Sequence, residues 1–296
     1  MKTDYKKQFI ISVSFLLLFF VAACGSTPTP VVETAEATGE VEIELTATGS
    51  PTPEPPTPTP EPPTLTPLPS DTPTPAPIFE YSIETVSLTT EDDIELEGIL
   101  FRSEGDTAVV FAHMAGGDND QQNWVPFAKQ VARRGFTALT FNFRCYGESD
   151  CGGRDSGSIL LSRDVGAAID FLREQGFERV VCAGASMGGR GCVNVAFDRE
   201  LDGIIIVAGT GSSDPDRQDL ADFLTPNMPK LFIVSENDHI ADRTLAMTTL
   251  YESAPEPKTF VTYPSTAHGT ELFDTRYAEA FREAIFSFLY EIHSTK

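Results

Sequence analysis

Val180-Val181-Cys182-Ala183 is a continuous apolar run, and Gly184-Ala185-Ser186-Met187-Gly188 follows it directly. Such a run reads as a strand buried on both faces. The next stretch, Gly189-Arg190-Gly191-Cys192-Val193-Asn194-Val195-Ala196, reads as a helix. Gly-x-Ser-x-Gly between a buried strand and a helix describes a sharp elbow with the serine at its tip and the hydroxyl above the sheet edge. Gly184 and Gly188 have a steric role, because a side chain at either position meets the neighbouring strand or the helix start. The pentapeptide alone arises by chance, and its placement between strand and helix is what makes it informative. A turn of the same shape with no chemistry is the plain alternative.

Outward from the elbow, strand and helix patterns alternate. Phe79–Ser87 and Ile94–Phe101 read as an antiparallel pair, the second with alternating apolar positions. Ala108–Ala112 is a second continuous apolar run, and Gln121–Arg134 is helical, with Trp124, Phe127, Ala128 and Val131 on one face and Asp118 or Asp120 as its cap. A strand at Ala138–Asn142 and a helix over Ile159–Gln175 precede the elbow. Strands at Gly203–Val207, Lys230–Val234 and Thr259–Tyr263 and a helix over Arg276–His293 follow it. The alternation predicts an α/β domain over residues 79–296, with a mostly parallel sheet and helices on both faces.

Four motifs in this order resemble the α/β-hydrolase family over nearly all of residues 80–293. The elbow supplies Ser186 as the implied nucleophile. Pro229-Lys230-Leu231-Phe232-Ile233-Val234-Ser235-Glu236-Asn237-Asp238 is similar to the family's strand and acidic turn, which implies Asp238 as the acid, with Glu236 and Asp242 as rivals. Ala267-His268-Gly269 after the last strand resembles the loop that carries the base. Phe111-Ala112-His113-Met114-Ala115-Gly116-Gly117 resembles the turn whose backbone donates to an oxyanion. Met114 stands where that turn usually has glycine, so either Met114 or Ala115 is the donor, with the Met187 amide as the second. His113 reads as a turn-stabilising residue. Asn142-Phe143-Arg144-Cys145-Tyr146-Gly147-Glu148-Ser149 is similar to the family's Arg-Gly-x-Gly-x-Ser loop, with Cys145 in place of glycine.

The residue types suit that chemistry. A serine hydroxyl is a weak nucleophile at neutral pH, so an imidazole must take its proton and later protonate the leaving group. A carboxylate fixes the imidazole tautomer and stabilises the imidazolium. The resemblance therefore implies an acyl-enzyme route. It is nearest to the compact esterases and the dienelactone-hydrolase-like members, the latter with cysteine where this chain has Ser186. Only Ala208–Pro229 separates two strands where large lids enter this fold, so a minimal lid is expected, with one small helix at Asp219–Leu224. Tyr146, Met187, Phe223 and Leu224 are candidate pocket residues. Small or exposed esters are the expected substrates, with peptidase, thioesterase and non-catalytic binding-module readings as rivals. Neither a cofactor nor a metal is implied, and Asp118, Asn119 and Asp120 read as helix capping. His239 and His293 are expected at the surface.

The N-terminus has a different character. Lys2, Lys6 and Lys7 precede an apolar run, Phe9–Ala23, too short to span a membrane comfortably. Val21-Ala22-Ala23-Cys24 resembles a bacterial lipoprotein signal, which implies a signal peptide at 1–23, cleavage before Cys24 and lipid on its thiol. Residues 24–78 form a Pro/Thr-rich stalk that holds 15 of the 22 prolines. Such a tract favours extended polyproline geometry and lacks apolar side chains to bury. Some fifty residues at about 3.1 Å each set the domain on the order of 100 Å from the membrane. The expected location is extracytoplasmic, with the membrane met only through the lipid.

The 296-residue chain carries a formal charge of −23, and loss of residues 1–23 removes three lysines and one aspartate to leave −25. A field of that sign repels nucleic acid, anionic headgroups and polyanionic substrates. Cys145 and Cys151 lie six apart in a polar loop, a spacing that suggests a disulfide in an exported protein. Cys182 and Cys192 are expected to be separate, buried, small apolar residues.

Overall fold

The computed structural model describes residues 78–152, 158–211 and 227–295. Cys24, the signal, the stalk, the expected Asp219–Leu224 helix, Phe223 and Leu224 lie outside them.

Among the described residues, eight strands and five α-helices follow in the order β1 (Ser82–Thr89), β2 (Glu95–Arg102), β3 (Thr107–Ala112), α1 (Val125–Arg133), β4 (Thr137–Phe141), α2 (Ser158–Glu174), β5 (Arg179–Ala185), α3 (Met187–Val195), β6 (Gly203–Val207), β7 (Lys230–Ser235), α4 (Arg243–Ser253), β8 (Lys258–Tyr263) and α5 (Ala278–Ser294). They build one sheet in the order β1-β2-β4-β3-β5-β6-β7-β8. The β1–β2 and β2–β4 pairs are antiparallel, and every pair from β4 to β8 is parallel. This is the α/β-hydrolase architecture that the sequence predicts. No helix among the described residues is long and apolar enough to cross a membrane.

The central strands are buried on both faces, and their alternate residues enter two separate cores. Val180 and Cys182 of β5 join Ile204 and Ile206 of β6 in one core, covered by α2, α3 and α4 through Leu161, Val165, Val193, Met247 and Leu250. Val181, Ala183, Ile205 and Val207 face the other, covered by α1 and α5 through Phe127, Val131, Phe281 and Ile285. Parallel strands covered by helices on both sides need this near-continuous apolar composition.

α4 was not anticipated. It has little apolar stripe: only Met247 and Leu250 are buried. The hydroxyls of Thr248 and Thr249 donate to the carbonyls of Thr244 and Leu245 one turn earlier. Without periodicity, tertiary packing specifies this helix, through Tyr251 against Phe232 of β7 and Phe260 of β8. At the start of α1 it is Asp120 rather than Asp118 that caps: its Oδ1 accepts from Gln122 N at 2.7 Å, on a short 3-10 turn at Gln121–Asn123.

A buried ionic cluster ties the loop after β4 to the rest. The Arg144 guanidinium donates to Asp164 Oδ1 through Nε at 2.8 Å and to both Asp92 oxygens at 2.9 and 3.0 Å. Arg144 N donates to Asp164 Oδ2 at 3.0 Å. Those hydrogen bonds hold the Asp92 carboxyl well below the usual carboxylate range. Asp164 is fully buried, and burial pushes its pKa up, with Arg144 opposing. Burial also works against the Arg144 charge, but the two carboxylates outweigh it and raise its pKa. A guanidinium so enclosed is strongly destabilising once a partner is removed. Asp164→Ala is therefore expected to lower unfolding free energy by about 3 kcal/mol, read as a lower urea midpoint at unchanged m-value.

Candidate active site

The parallel strands end level with one another. Ala112 of β3 pairs with Gly184, Ala185 of β5 with Val207, and Ser235 of β7 with Tyr263. In open α/β sheets ligands bind outside the carboxyl ends of the strands, and Ser186, Met187, Asp238, His268, Met114 and Ala115 follow those ends directly or within a few residues.

Ser186 is the hinge between β5 and α3, at φ 50° and ψ −107°. A non-glycine residue at positive φ costs of order 1–3 kcal/mol and persists only where its surroundings enforce it. Ser186 N donates to Val207 O at 2.9 Å, which fixes the turn to β6. A Cβ on Gly184 would collide with the Gly188 backbone, and one on Gly188 would collide with the Ala112 carbonyl and lie 2.8 Å from His113 O. Both glycines therefore do the steric work expected of them. Cys182 and Cys192 are buried but not separate: a disulfide joins them, with Cα atoms 5.7 Å apart. This corrects the sequence reading. The elbow folds α3 back along β5, so residues on its two arms meet. The link closes a loop with Ser186 inside it and ties strand to helix. Cys145 and Cys151 form a second disulfide, with Cα atoms 4.4 Å apart, and Cys145 takes φ 67° where the family motif has glycine.

The acid turn after β7 and the loop after β8 are laced together. Glu236 N donates to Tyr263 O at 2.8 Å, Asn237 N to Ser265 O at 3.1 Å and His239 N to Thr266 O at 3.0 Å. Buried Ser235 donates through Oγ to Ala267 O at 2.6 Å. This lacing brings His268 Nδ1 to 3.0 and 2.9 Å from the two Asp238 oxygens. The Asp238 side chain is fully buried, and its Oδ1 also accepts from Ile240 N at 2.9 Å. Of the rival carboxylates, Glu236 is exposed, and Asp242 is exposed at the start of α4. With Nδ1–H donated to Asp238, His268 leaves Nε2 as an acceptor. The hydrogen bonds of His268 run to Asp238 and Glu271 and not to Ser186. Its loop nonetheless packs on the elbow: a Cβ on Gly269 would lie 3.3 Å from Ala185 Cβ and 3.0 Å from Met114 Sδ.

The loop after β3 closes the third side. His113 is buried, its rings stacked edge-on with Phe143 and Tyr146 at 5.0 and 4.7 Å. Nε2 accepts from Phe143 N at 3.1 Å, so Nδ1 carries the proton and donates to Met114 O at 2.8 Å. That fixes the Met114 carbonyl toward the ring and, across a trans peptide, turns the Ala115 N–H the opposite way. Trp124 Nε1 donates to Ala112 O at 3.1 Å and anchors the end of β3. Tyr146 lines a cavity of about 710 Å³ beside Gly116, Asp118 and Asp120.

Sequence reasoning missed several residues here. Glu271 Oε2 accepts from His268 N at 2.8 Å and braces the loop, a capping-box contact signalled in the sequence only by a glutamate three residues after His268. The His239 ring lies edge-on to that of His268 at 5.7 Å. It is half exposed, as expected, but it belongs to the rim of the site. Among the described residues no group of three or more histidine, cysteine or acidic side chains is arranged to hold a metal.

With this geometry, comparison with known proteins is informative. The alpha/beta hydrolase domain model matches residues 105–269, and the chain belongs to that family. YfhR of Salmonella typhi, an uncharacterized protein, is 26% identical over 254 residues, covering 72% of this chain and 83% of YfhR. The Escherichia coli O157:H7 YfhR is 25% identical over 240 residues, covering 71% and 81%. Among solved structures, XC6422 from Xanthomonas campestris, described as an α/β serine hydrolase without a lid, is similar at TM-score 0.59 and 22% identity, covering 74% of this chain and 99% of that one. The Pyrococcus furiosus esterase Pf2001 gives TM-score 0.59 at 15% identity, covering 73% and 94%. At those identities the structural likeness speaks for the fold.

The pH dependence of stability follows from His113. Burial pushes its pKa from 6.5 down to about 4, with the Met114 hydrogen bond opposing. Between those values the unfolded chain binds the proton and the folded chain does not, so stability rises with pH. Lowering the pH from 7 to 4 is expected to remove on the order of 3 kcal/mol through this group, with a shallower slope in His113→Asn when urea midpoints are compared.

Proposed function

We propose that this protein is a serine hydrolase that cleaves carboxylic esters through an acyl-enzyme. The observation that carries the reading is the His268–Asp238 pair on a loop packed against the residue before Ser186. Ser186 Oγ attacks the ester carbonyl as His268 Nε2 takes its proton. The imidazolium then protonates the departing alcohol, and water, deprotonated by the same nitrogen, releases the acid and restores the serine. Asp238 holds the ring in the required tautomer and stabilises its charged form.

Two amides serve the developing oxyanion. Met187 N–H lies in the first turn of α3, where helical N–H groups have no partner within the helix. Ala115 N–H is the second donor, because the Met114 carbonyl is committed to His113. Met114 contributes its side chain, packed on Gly269 and bonded at Sδ by Thr270 Oγ1 at 3.5 Å.

The enzyme works outside the cytoplasm, tethered through lipid on Cys24 and a Pro/Thr-rich stalk, on a small-molecule ester and without nucleic-acid partners. The sequence of residues 1–78 supports this, as do two disulfides among the described residues, since such bonds persist in oxidising compartments.

The test is covalent labelling of the purified full-length chain with a fluorophosphonate, read by intact mass. Wild type is expected to gain one adduct. Ser186→Ala is expected to gain none, to keep its circular dichroism spectrum and to lose roughly a thousandfold or more in kcat on short-chain esters. Wild type that is folded and unlabelled would sink the reading and favour a tethered binding module.

A further inference from the structure

Arg134, Arg144, Arg163, Arg173, Arg179 and Arg199 each meet a carboxylate. Arg190 and Arg243 form no ion pair with a described residue, although the chain carries a large acidic excess. Each sits just past a turn of the candidate site. Arg190 is one turn into α3, its N–H donating to Ser186 O at 3.1 Å. Arg243 opens α4, just past the acid turn that carries Asp238.

The segments that carry them meet just past the end of β6. Arg243 Nη1 donates to Gly209 O at 3.3 Å. A Cβ on Gly209 would lie 3.3 Å from the Cα of Gly189, the residue before Arg190. The Nε atoms of both arginines are buried without an acceptor. Burial lowers the Arg243 pKa, with Arg190 repelling its charge and Asp238 attracting it. Asp238 is not the missing acceptor: it forms neither a hydrogen bond nor an ion pair with Arg243, and its oxygens meet His268 and Ile240 N.

Two like charges held together with inward N–H groups unsatisfied are unfavourable unless an anion sits between them. A guanidinium fork matches a carboxylate with two parallel hydrogen bonds. We propose that Arg190 and Arg243 form an anion subsite beside Ser186 that holds a carboxylate of the substrate, so that the substrate is a half-ester of a dicarboxylic acid. This rests on the serine-hydrolase reading above and names its substrate class. A single carboxylate suits the site, because the overall negative field opposes a polyanion while the local pair attracts one charge.

The experiment compares kcat/KM for monoethyl glutarate and ethyl pentanoate by ethanol release, using the full-length chain. Wild type is expected to favour the half-ester by about ten- to hundredfold. In Arg190→Gln and Arg243→Gln that ratio is expected to fall toward one, with Arg243→Lys intermediate because it keeps the charge and loses the fork. Glutarate is expected to slow fluorophosphonate labelling of wild type and not of the glutamine variants. A wild type that labels at Ser186 but does not prefer the half-ester, or variants that lower both substrates equally, would overturn the subsite and leave the hydrolase reading standing. Better protection by inorganic phosphate than by glutarate would overturn the carboxylate assignment. Failure of wild type to label at all defeats the underlying reading instead.

Discussion

Everything at this site depends on one strained residue. Ser186 is held at positive φ between a strand and a helix that fold back on each other. The fold enforces that conformation from three directions. The Ala112 and His113 carbonyls press on Gly188, the Val207 carbonyl accepts from the Ser186 amide, and the Cys182–Cys192 link ties the two arms. Relaxing the turn would break the close approach of β3, β5 and β6, each buried on both faces. The apolar sheet therefore stabilises a backbone geometry that an isolated peptide would leave.

Around that point the protein uses polar bonds to place loops and apolar packing to supply stability. The acid turn and the histidine loop carry few apolar side chains, and backbone hydrogen bonds lace them together. A neutral His113 orients the Met114–Ala115 peptide. Its burial disfavours the charged form and keeps the ring neutral near neutral pH. The two histidines differ in their surroundings: His113 bonds to backbone groups and His268 to a buried carboxylate. The Arg144 cluster fixes the loop after β4, which carries Tyr146 onto the His113 ring.

Charge is distributed unevenly. The overall acidity favours solubility and repels polyanions, while Arg190 and Arg243 form no ion pair with a described residue and leave positive charge on the segments that follow the elbow and the acid turn. Electrostatics at short range in a partly buried site outweighs the screened field of distant surface carboxylates.

The amino-acid sequence by itself determined the α/β class, the strand order along the chain and the identity of Ser186 and His268 as candidates. These follow from local patterns: apolar runs, helical spacing, and a glycine-flanked serine between them. Asp238 was the sequence's choice over Glu236 and Asp242, and the structure shows that the turn after β7 aims that carboxylate at the histidine loop. The direction of the Met114 carbonyl, set by its hydrogen bond with His113, was not legible in the sequence, which left Met114 and Ala115 as alternatives. α4 escaped because threonines satisfy its exposed face and only two residues are buried. The Cys182–Cys192 bond and the Arg190–Arg243 pair escaped for a common reason. Their members sit on different elements, and no local pattern reports a distance that exists only after strand and helix have packed.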